Sequence, residues 1–410
     1  MKKIAGSILA AKGYKAAGIA AGIKDNNVKD MAMIVSDTPA ATAIVTTQNM
    51  VKAAPVQWDV QIMQKGAYKR AVVVNSGNAN CCTGEKGMAD TVATAEKAAA
   101  ALGVQREEVL ISSTGVIGVA LPIYKVLNGV DLLADALGDD LAHDDDAANA
   151  ILTTDLVKKT AAVEIELDGK TVHIGGMCKG SGMICPNMAT MLAYITTDAA
   201  VEPACLQKLL SDTVGSTYNM MSVDGDMSTN DTVVVMANGV AGNKTLTLDD
   251  ADSADYKAFA DAFYYINEHL AKSIVRDGEG ATKFVEVDVQ GAKTEEDAKV
   301  LAKAVIQSSL VKTALFGEDA NWGRVLSSLG ASGVTFDPSK VSLIFSSDAG
   351  MITLLNEGMP IAFDEDEAKK ILEEKEINIT IHMDEGMEKA TAWGCDLSYD
   401  YVKINGDYRS

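Results

Sequence analysis

Apolar positions along the chain follow two periods, and together they predict strands and helices in alternation. Residues 71–75 read as a buried strand, four apolar residues ending in Asn75, and residues 90–102 form an alanine-rich helix that Gly103 stops. Residues 108–112 predict the next strand. Residues 163–167 alternate strictly, turn through Asp168-Gly169 and return over 171–174, which reads as a hairpin. Residues 191–197 and 232–236 are further buried strands, 205–217 a helix, and 255–275 a long amphipathic helix ending near Gly278. From Phe284 a new series begins: a strand to Val289, a helix over 295–307, a strand over 341–345, a helix over 366–375, and strands over 377–382 and from Lys389. This order predicts an α/β fold with α+β layering and two domains, a larger core over 1–281 and a smaller α/β domain over 282–410.

Charge narrows the partners. With 36 basic and 57 acidic residues the formal net charge is −21, which repels nucleic acid and anionic membrane. Lys2-Lys3 and the apolar run after them imitate an export signal, but Lys12 and Lys15 interrupt it, so the segment reads as a strand and loop and the expected location is the cytoplasm. Six cysteines in a chain of this length make no disulfide framework, and four scattered histidines give no metal-ligand spacing, so no metal is predicted. The segment 138–146 is acidic and reads as surface running into a solvated helix start.

The glycine-rich stretches fail as cofactor motifs. Gly180-Ser-Gly182 lacks the third glycine of a dinucleotide fingerprint, and Gly169-Lys-Thr has Glu164 where a phosphate loop needs its first glycine. Asp224-Gly-Asp-Met-Ser228 begins like a calcium loop, yet Thr229 and Val235 stand where glycine and glutamate are required.

One stretch suggests chemistry. Residues 179–192 read KGSGMICPNMATML, where two glycines and a proline disfavour helix and an irregular loop enters a strand. A peptide bond held between such a loop and strand can be attacked by the next hydroxyl, and Ala189–Thr190 is the candidate for self-cleavage. Scission would give Thr190 a free α-amine beside its hydroxyl, joining nucleophile and general base on one residue. The same residue types also suit a glycine-rich turn feeding a core strand.

This string closely resembles the processing site of the ornithine acetyltransferase family, also called glutamate N-acetyltransferases, and the resemblance spans nearly the whole chain. It is carried by GYKAAGIAAGIK from Gly13, NSGNANCCTGEKG from Asn75, SSTGVIGVALP from Ser112, TTDLVKK from Thr153, DGDMSTNDTVVVMANG from Asp224, DGEGATKFVEV from Asp277, LVKTALFGEDANWGR from Leu310 and CDLSYDYVKINGDYRS from Cys395.

The resemblance implies a self-processing fold of the N-terminal-nucleophile type, with an α chain of residues 1–189 and a β chain of 190–410 assembled as a heterotetramer. It implies acetyl transfer from N2-acetylornithine to glutamate in arginine biosynthesis, through an acetyl group carried on Thr190. No cofactor is implied, although acetyl-CoA is a further acetyl source for bifunctional members. Thr114 and Gly115 take the oxyanion positions, while Thr154, Lys179, Thr190, Glu279, Asn405 and the terminal Ser410 take the substrate-contacting ones. Two departures are Ser410 in place of threonine and Gly406 in place of alanine. The competing readings are an amidohydrolase or aminopeptidase of related fold, in which water replaces glutamate, and an uncleaved binding protein.

Overall fold

The computed structural model describes residues 1–185 and 191–407. Among them, nine strands build a first sheet: β1 (Lys2–Lys3), β2 (Tyr14–Ile19), β3 (Met31–Thr46), β4 (Tyr68–Asn78), β5 (Val109–Val116), β6 (Lys159–Leu167), β7 (Lys170–Lys179), β8 (Leu192–Thr197) and β9 (Thr232–Ala237). Their order is β1-β6-β7-β8-β9-β3-β4-β5, with β2 on β3. β8 and β9 are parallel with Leu192 opposite Thr232, and β4 and β5 are parallel; the other pairs are antiparallel.

Because successive strand side chains point to opposite faces, this sheet serves two cores. Ala193 and Ile195 of β8 and Val233 and Val235 of β9 pack with Phe259, Phe263, Ile266 and Leu270 of the helix Ala254–Arg276, whose buried positions recur at helical spacing. The alternate residues Leu192, Tyr194, Val234 and Met236 face the other core, with Met31, Met33, Val72 and Val74. Ser253 caps that long helix by accepting a hydrogen bond from Tyr256 N–H at 3.1 Å.

Six strands form the second sheet: β10 (Phe284–Ala292), β11 (Ser342–Ser347), β12 (Gly350–Asn356), β13 (Met359–Pro360), β14 (Glu376–His382) and β15 (Glu388–Cys395), in the order β13-β12-β11-β14-β10-β15. The helix Glu295–Gln307 packs on β10 and β15. Val285, Val287 and Ile379 share the core that holds Ala193 and Ile195, so apolar contact is continuous between the two sheets.

Several expectations shift. The helix predicted from Asp90 begins at Gly84, and Asp90 is buried within it with Lys86 at 2.5 Å. β5 continues to Val116, so Thr114 and Gly115 lie inside the strand end. The long β3 carries no clear alternation, because its first half pairs with β2 and β4 and its second half with β9 across an irregularity that exposes Asp37, Thr38 and Pro39. The acidic segment is only partly surface: Asp140 caps the helix Leu141–Ala150, but Asp144 is buried and accepts from Ser7 N–H at 2.5 Å and Ser7 Oγ–H at 2.6 Å.

Candidate active site

Strand ends converge to make the site. Lys179 closes β7 opposite Leu192, the first residue of β8. Thr114 and Gly115 end β5 in register with Ser76 and Gly77 of β4. Only glycine fits at 115: its φ is +130°, and a Cβ would stand 2.4 Å from the Gly77 carbonyl carbon. The asparagine-rich turn beside it is scaffolding. Asn75 Oδ1 accepts from Ser113 Oγ–H at 2.6 Å, Asn78 Oδ1 accepts from Asn80 N–H at 2.8 Å, and Asn230 Nδ2 donates to the carbonyls of Ala79 at 2.6 Å and Ser113 at 2.8 Å.

Beneath these strand ends lies a buried ion cluster. Lys159 Nζ sits 2.6 Å from both Asp155 Oδ1 and Asp277 Oδ2, with all three side chains essentially buried. Asp155 also accepts from Gly180 N–H at 2.8 Å, and Asp277 from Leu156 N–H at 3.0 Å and Val157 N–H at 3.3 Å. Burial alone would raise the Asp155 pKa, but Lys179, Lys159 and these hydrogen bonds hold it at about 2. Lys159 is raised in turn: burial opposes its charge, and Asp155 and Asp277 more than compensate.

Lys179 is the contrasting cation. It is 8% exposed, and its Nζ donates to Thr114 Oγ1 at 3.3 Å. Burial drives its pKa down, aided by Lys159 and opposed by Asp155, Asp231 and Glu279. Asp231 is 2% exposed, and its Oδ2 is buried with no hydrogen-bond partner among the described residues.

Glu279 reaches the site from the turn after the long helix, where its N–H donates to Ser181 O at 2.9 Å. Its carboxylate lies over Gly182, where a Cβ would stand 2.3 Å from Oε2, and accepts from Asn405 Nδ2 at 2.7 Å. Asn405 is carried by the terminal helix Tyr399–Asp407, which docks on Gly280: φ there is +67°, and a Cβ would meet Tyr401 N at 2.4 Å. Asp224 holds the other wall, accepting from Met183 N–H at 2.7 Å and Ile184 N–H at 2.9 Å, while Tyr401 O–H donates to it at 3.3 Å. The aspartate that begins the calcium-like string is therefore a loop clamp.

Thr114, Gly115, Thr154, Lys179, Glu279 and Asn405, all predicted, line one cleft, together with Asp231. Ala189, Thr190 and Ser410 lie outside the described residues. No group of three or more His, Cys, Asp or Glu side chains that could hold a metal ion occurs among the described residues, and no helix among them is long and apolar enough to cross a membrane.

The family model described as the ArgJ family matches residues 15–410. This chain belongs to the ArgJ family. The arginine biosynthesis bifunctional proteins ArgJ of Caldanaerobacter subterraneus subsp. tengcongensis and Symbiobacterium thermophilum are 51% and 52% identical to it, each alignment covering 100% of both chains. The solved arginine biosynthesis bifunctional protein argJ of Bacillus halodurans superposes with a TM-score of 0.51 at 44% identity, covering 53% of this chain and 100% of that one. A chain of the Mycobacterium tuberculosis ornithine acetyltransferase, solved in complex with ornithine, is 43% identical over 45% of this chain and 96% of that one, with a TM-score of 0.42. Membership of the ArgJ family makes this chain an acyltransferase of arginine biosynthesis.

Within this ArgJ chain, sequence reasoning missed Lys159, Asp277 and Asp231 and left Asp155 without a role. One signal was present: Asp155 and Lys159 stand four apart in the Thr-Thr-Asp block. Asp231 gives none, since its burial depends on strands distant in sequence.

Proposed function

We propose that this protein transfers the acetyl group of N2-acetylornithine to glutamate through an acetyl-threonine at Thr190, after the chain cuts itself between Ala189 and Thr190. The carrying observation is that a buried cation, Lys179, and a buried carboxylate, Glu279, line the same cleft as the strand end Thr114–Gly115. An amino acid with a carboxylate at one end and an ammonium at the other suits that pair, Lys179 for the carboxylate and Glu279 with Asn405 for the ammonium. Thr154 and the terminal Ser410 complete the substrate contacts.

The Thr190 hydroxyl attacks the acetyl carbonyl while its own α-amine, with an ordinary pKa of roughly 7.7–8.0, takes the proton. The negative oxygen is met by the Thr114 hydroxyl and the Gly115 N–H. Because Lys179 donates to Thr114 Oγ1, the Thr114 hydroxyl keeps its own hydrogen free to point at that oxygen. Ornithine leaves, and the α-amine of glutamate attacks the acetyl-threonine. Acetyl-CoA enters at the first step as an alternative donor, consistent with the bifunctional relatives.

In this reading the fragments 1–189 and 190–410 pair as a heterotetramer in the cytoplasm, with a catalytic core over 1–281 and a C-terminal domain over 282–410. The length of the Bacillus halodurans chain, wholly covered by 53% of this one, supports a half-length product. The test is Thr190→Ala: one uncut polypeptide on denaturing electrophoresis and no acetyl exchange are expected. Wild-type turnover by that variant would refute the assignment.

A further inference from the structure

Two neighbouring thiols stand outside the chemistry described above. Cys81 is buried, Cys82 is exposed, and their sulfurs meet at 3.8 Å. Successive side chains of an extended chain point to opposite sides, but Cys82 has a φ of +57°, so the chain turns there and both sulfurs come together. Cys82 lies in the wall of an open surface pocket with Val51, Lys52, Gln57 and Met88, where a small molecule reaches it from solvent.

The buried member of the pair is joined to the catalytic cleft. Cys81 packs with Ala53, Val56 and Ala79, and Ile117 closes this small apolar cluster. Ala79 and Ile117 also line the cleft. Ala79 N–H donates to Val116 O and Gly118 N–H donates to Cys81 O, both at 2.9 Å, which ties residues 79–81 to residues 116–118. Thr114 and Gly115 directly precede that second segment.

We propose that Cys82 and Cys81 form a reversible exchange site for low-molecular-weight disulfides, and that closing the pair displaces the cleft wall beside Gly115. The Cys82 thiolate attacks one sulfur of the small disulfide; one S–S bond forms, another breaks, and the thiolate released takes up the proton that Cys82 gave up. The Cys81 sulfur then attacks the Cys82 sulfur, and its proton leaves with the second thiol. Two protein thiols are oxidised to one disulfide, and the small disulfide is reduced to two thiols. Burial raises the Cys81 thiol above its ordinary pKa, and the adjoining thiol adds to this against the pull of the Thr229 hydroxyl, so the second exchange is the slower one. Consecutive Cα atoms stand about 3.8 Å apart, short of the roughly 4.4–6.8 Å that disulfides usually span, so the closed pair is strained and readily reopened by thiols. The effect on activity rests on the acetyl transfer proposed above; the exchange itself does not.

The reduced enzyme is incubated with glutathione disulfide, and peptide masses and acetyl exchange are followed together. The peptide that holds both cysteines is expected to gain one glutathione and then to exchange that adduct for a loss of two hydrogens. Acetyl exchange falls about 10²-fold, the order that a displacement of about 1 Å costs, and dithiothreitol restores it. Cys81→Ser keeps the glutathione adduct, with Cys81→Ala as the second variant should the serine chain not melt cooperatively; Cys82→Ser takes up none on this peptide. A wild-type peptide that stays unmodified, or that stops at the adduct, overturns the proposal, as does a closed pair with undiminished acetyl exchange. A reduced enzyme unable to move acetyl from N2-acetylornithine to glutamate removes the reading of function instead, and the peptide masses still decide the fate of the pair.

Discussion

Lys159 and Lys179 lie on neighbouring strands of one sheet, both buried, and their surroundings are opposite. Lys159 is saturated, with two carboxylates at 2.6 Å, and its pKa is raised. Lys179 contacts a hydroxyl at 3.3 Å and is lowered by its burial. A buried charge with its partners in place contributes position, because the attraction is already satisfied within the fold. A buried charge without a full set keeps attraction in reserve for a ligand, at a cost to stability. The saturated cluster joins the Thr-Thr-Asp block to Asp277, two residues before Glu279, and so sets the distance between Thr154 and Glu279 in the cleft wall.

If that division holds, removing the saturated lysine damages stability first. Lys159→Met strands Asp155 and Asp277 as buried carboxylates and should destabilise the protein by about 3–5 kcal/mol, read from chemical unfolding. A loss under 1 kcal/mol would mean that water reaches the cluster. Next in size is Thr114→Val, which removes a hydroxyl from the cleft wall at similar volume; kcat should fall about 10²–10³-fold with the melting temperature little changed. Lys179→Met sharpens the contrast with Lys159→Met. Its stability should hold or rise, while kcat/KM for N2-acetylornithine drops about a hundredfold, mostly through KM. Equal stability losses in the two methionine variants would break the comparison.

Much of the candidate site was legible because its residues sit in continuous motifs. Thr154, Lys179, Glu279 and Asn405 come from four separate stretches, and the structure brings all four to one cleft. The fold was legible where the pattern is regular, as over residues 163–167 of β6 and 171–174 of β7, and illegible in β3, where a change of partners near Pro39 destroys the period. Buried acids were the systematic gap. Asp144, Asp231 and Asp277 are chemically like any solvated aspartate in sequence, and only tertiary packing makes one a cap for Ser7, one an acid whose Oδ2 is buried without a partner among the described residues, and one a lysine partner. The role of Asp155 was equally hidden, since it depends on Lys179 and Gly180 meeting it across strands.

The smallest effect expected is also the one whose sign separates Asp155 from Asp231. Asp155 is held at about 2 against an ordinary 3.8, so its folded pKa lies below its unfolded one. Its stabilising contribution is present above the unfolded value and disappears as pH falls through about 2. At about 1.4 kcal/mol per pH unit, that amounts to about 2–3 kcal/mol. Asp231 is displaced the other way, so its contribution is full below the unfolded carboxyl pKa and is lost as pH rises through its raised folded value. Unfolding free energies of wild type, Asp155→Asn and Asp231→Asn, compared from pH 7 to pH 2, test both signs. The deficit of Asp155→Asn relative to wild type should shrink on acidification, and Asp231→Asn should gain on wild type as pH rises. A deficit of Asp155→Asn that stays constant across the range would show that Asp155 does not titrate as its neighbours require, and the saturated cluster would then not be the anchor described.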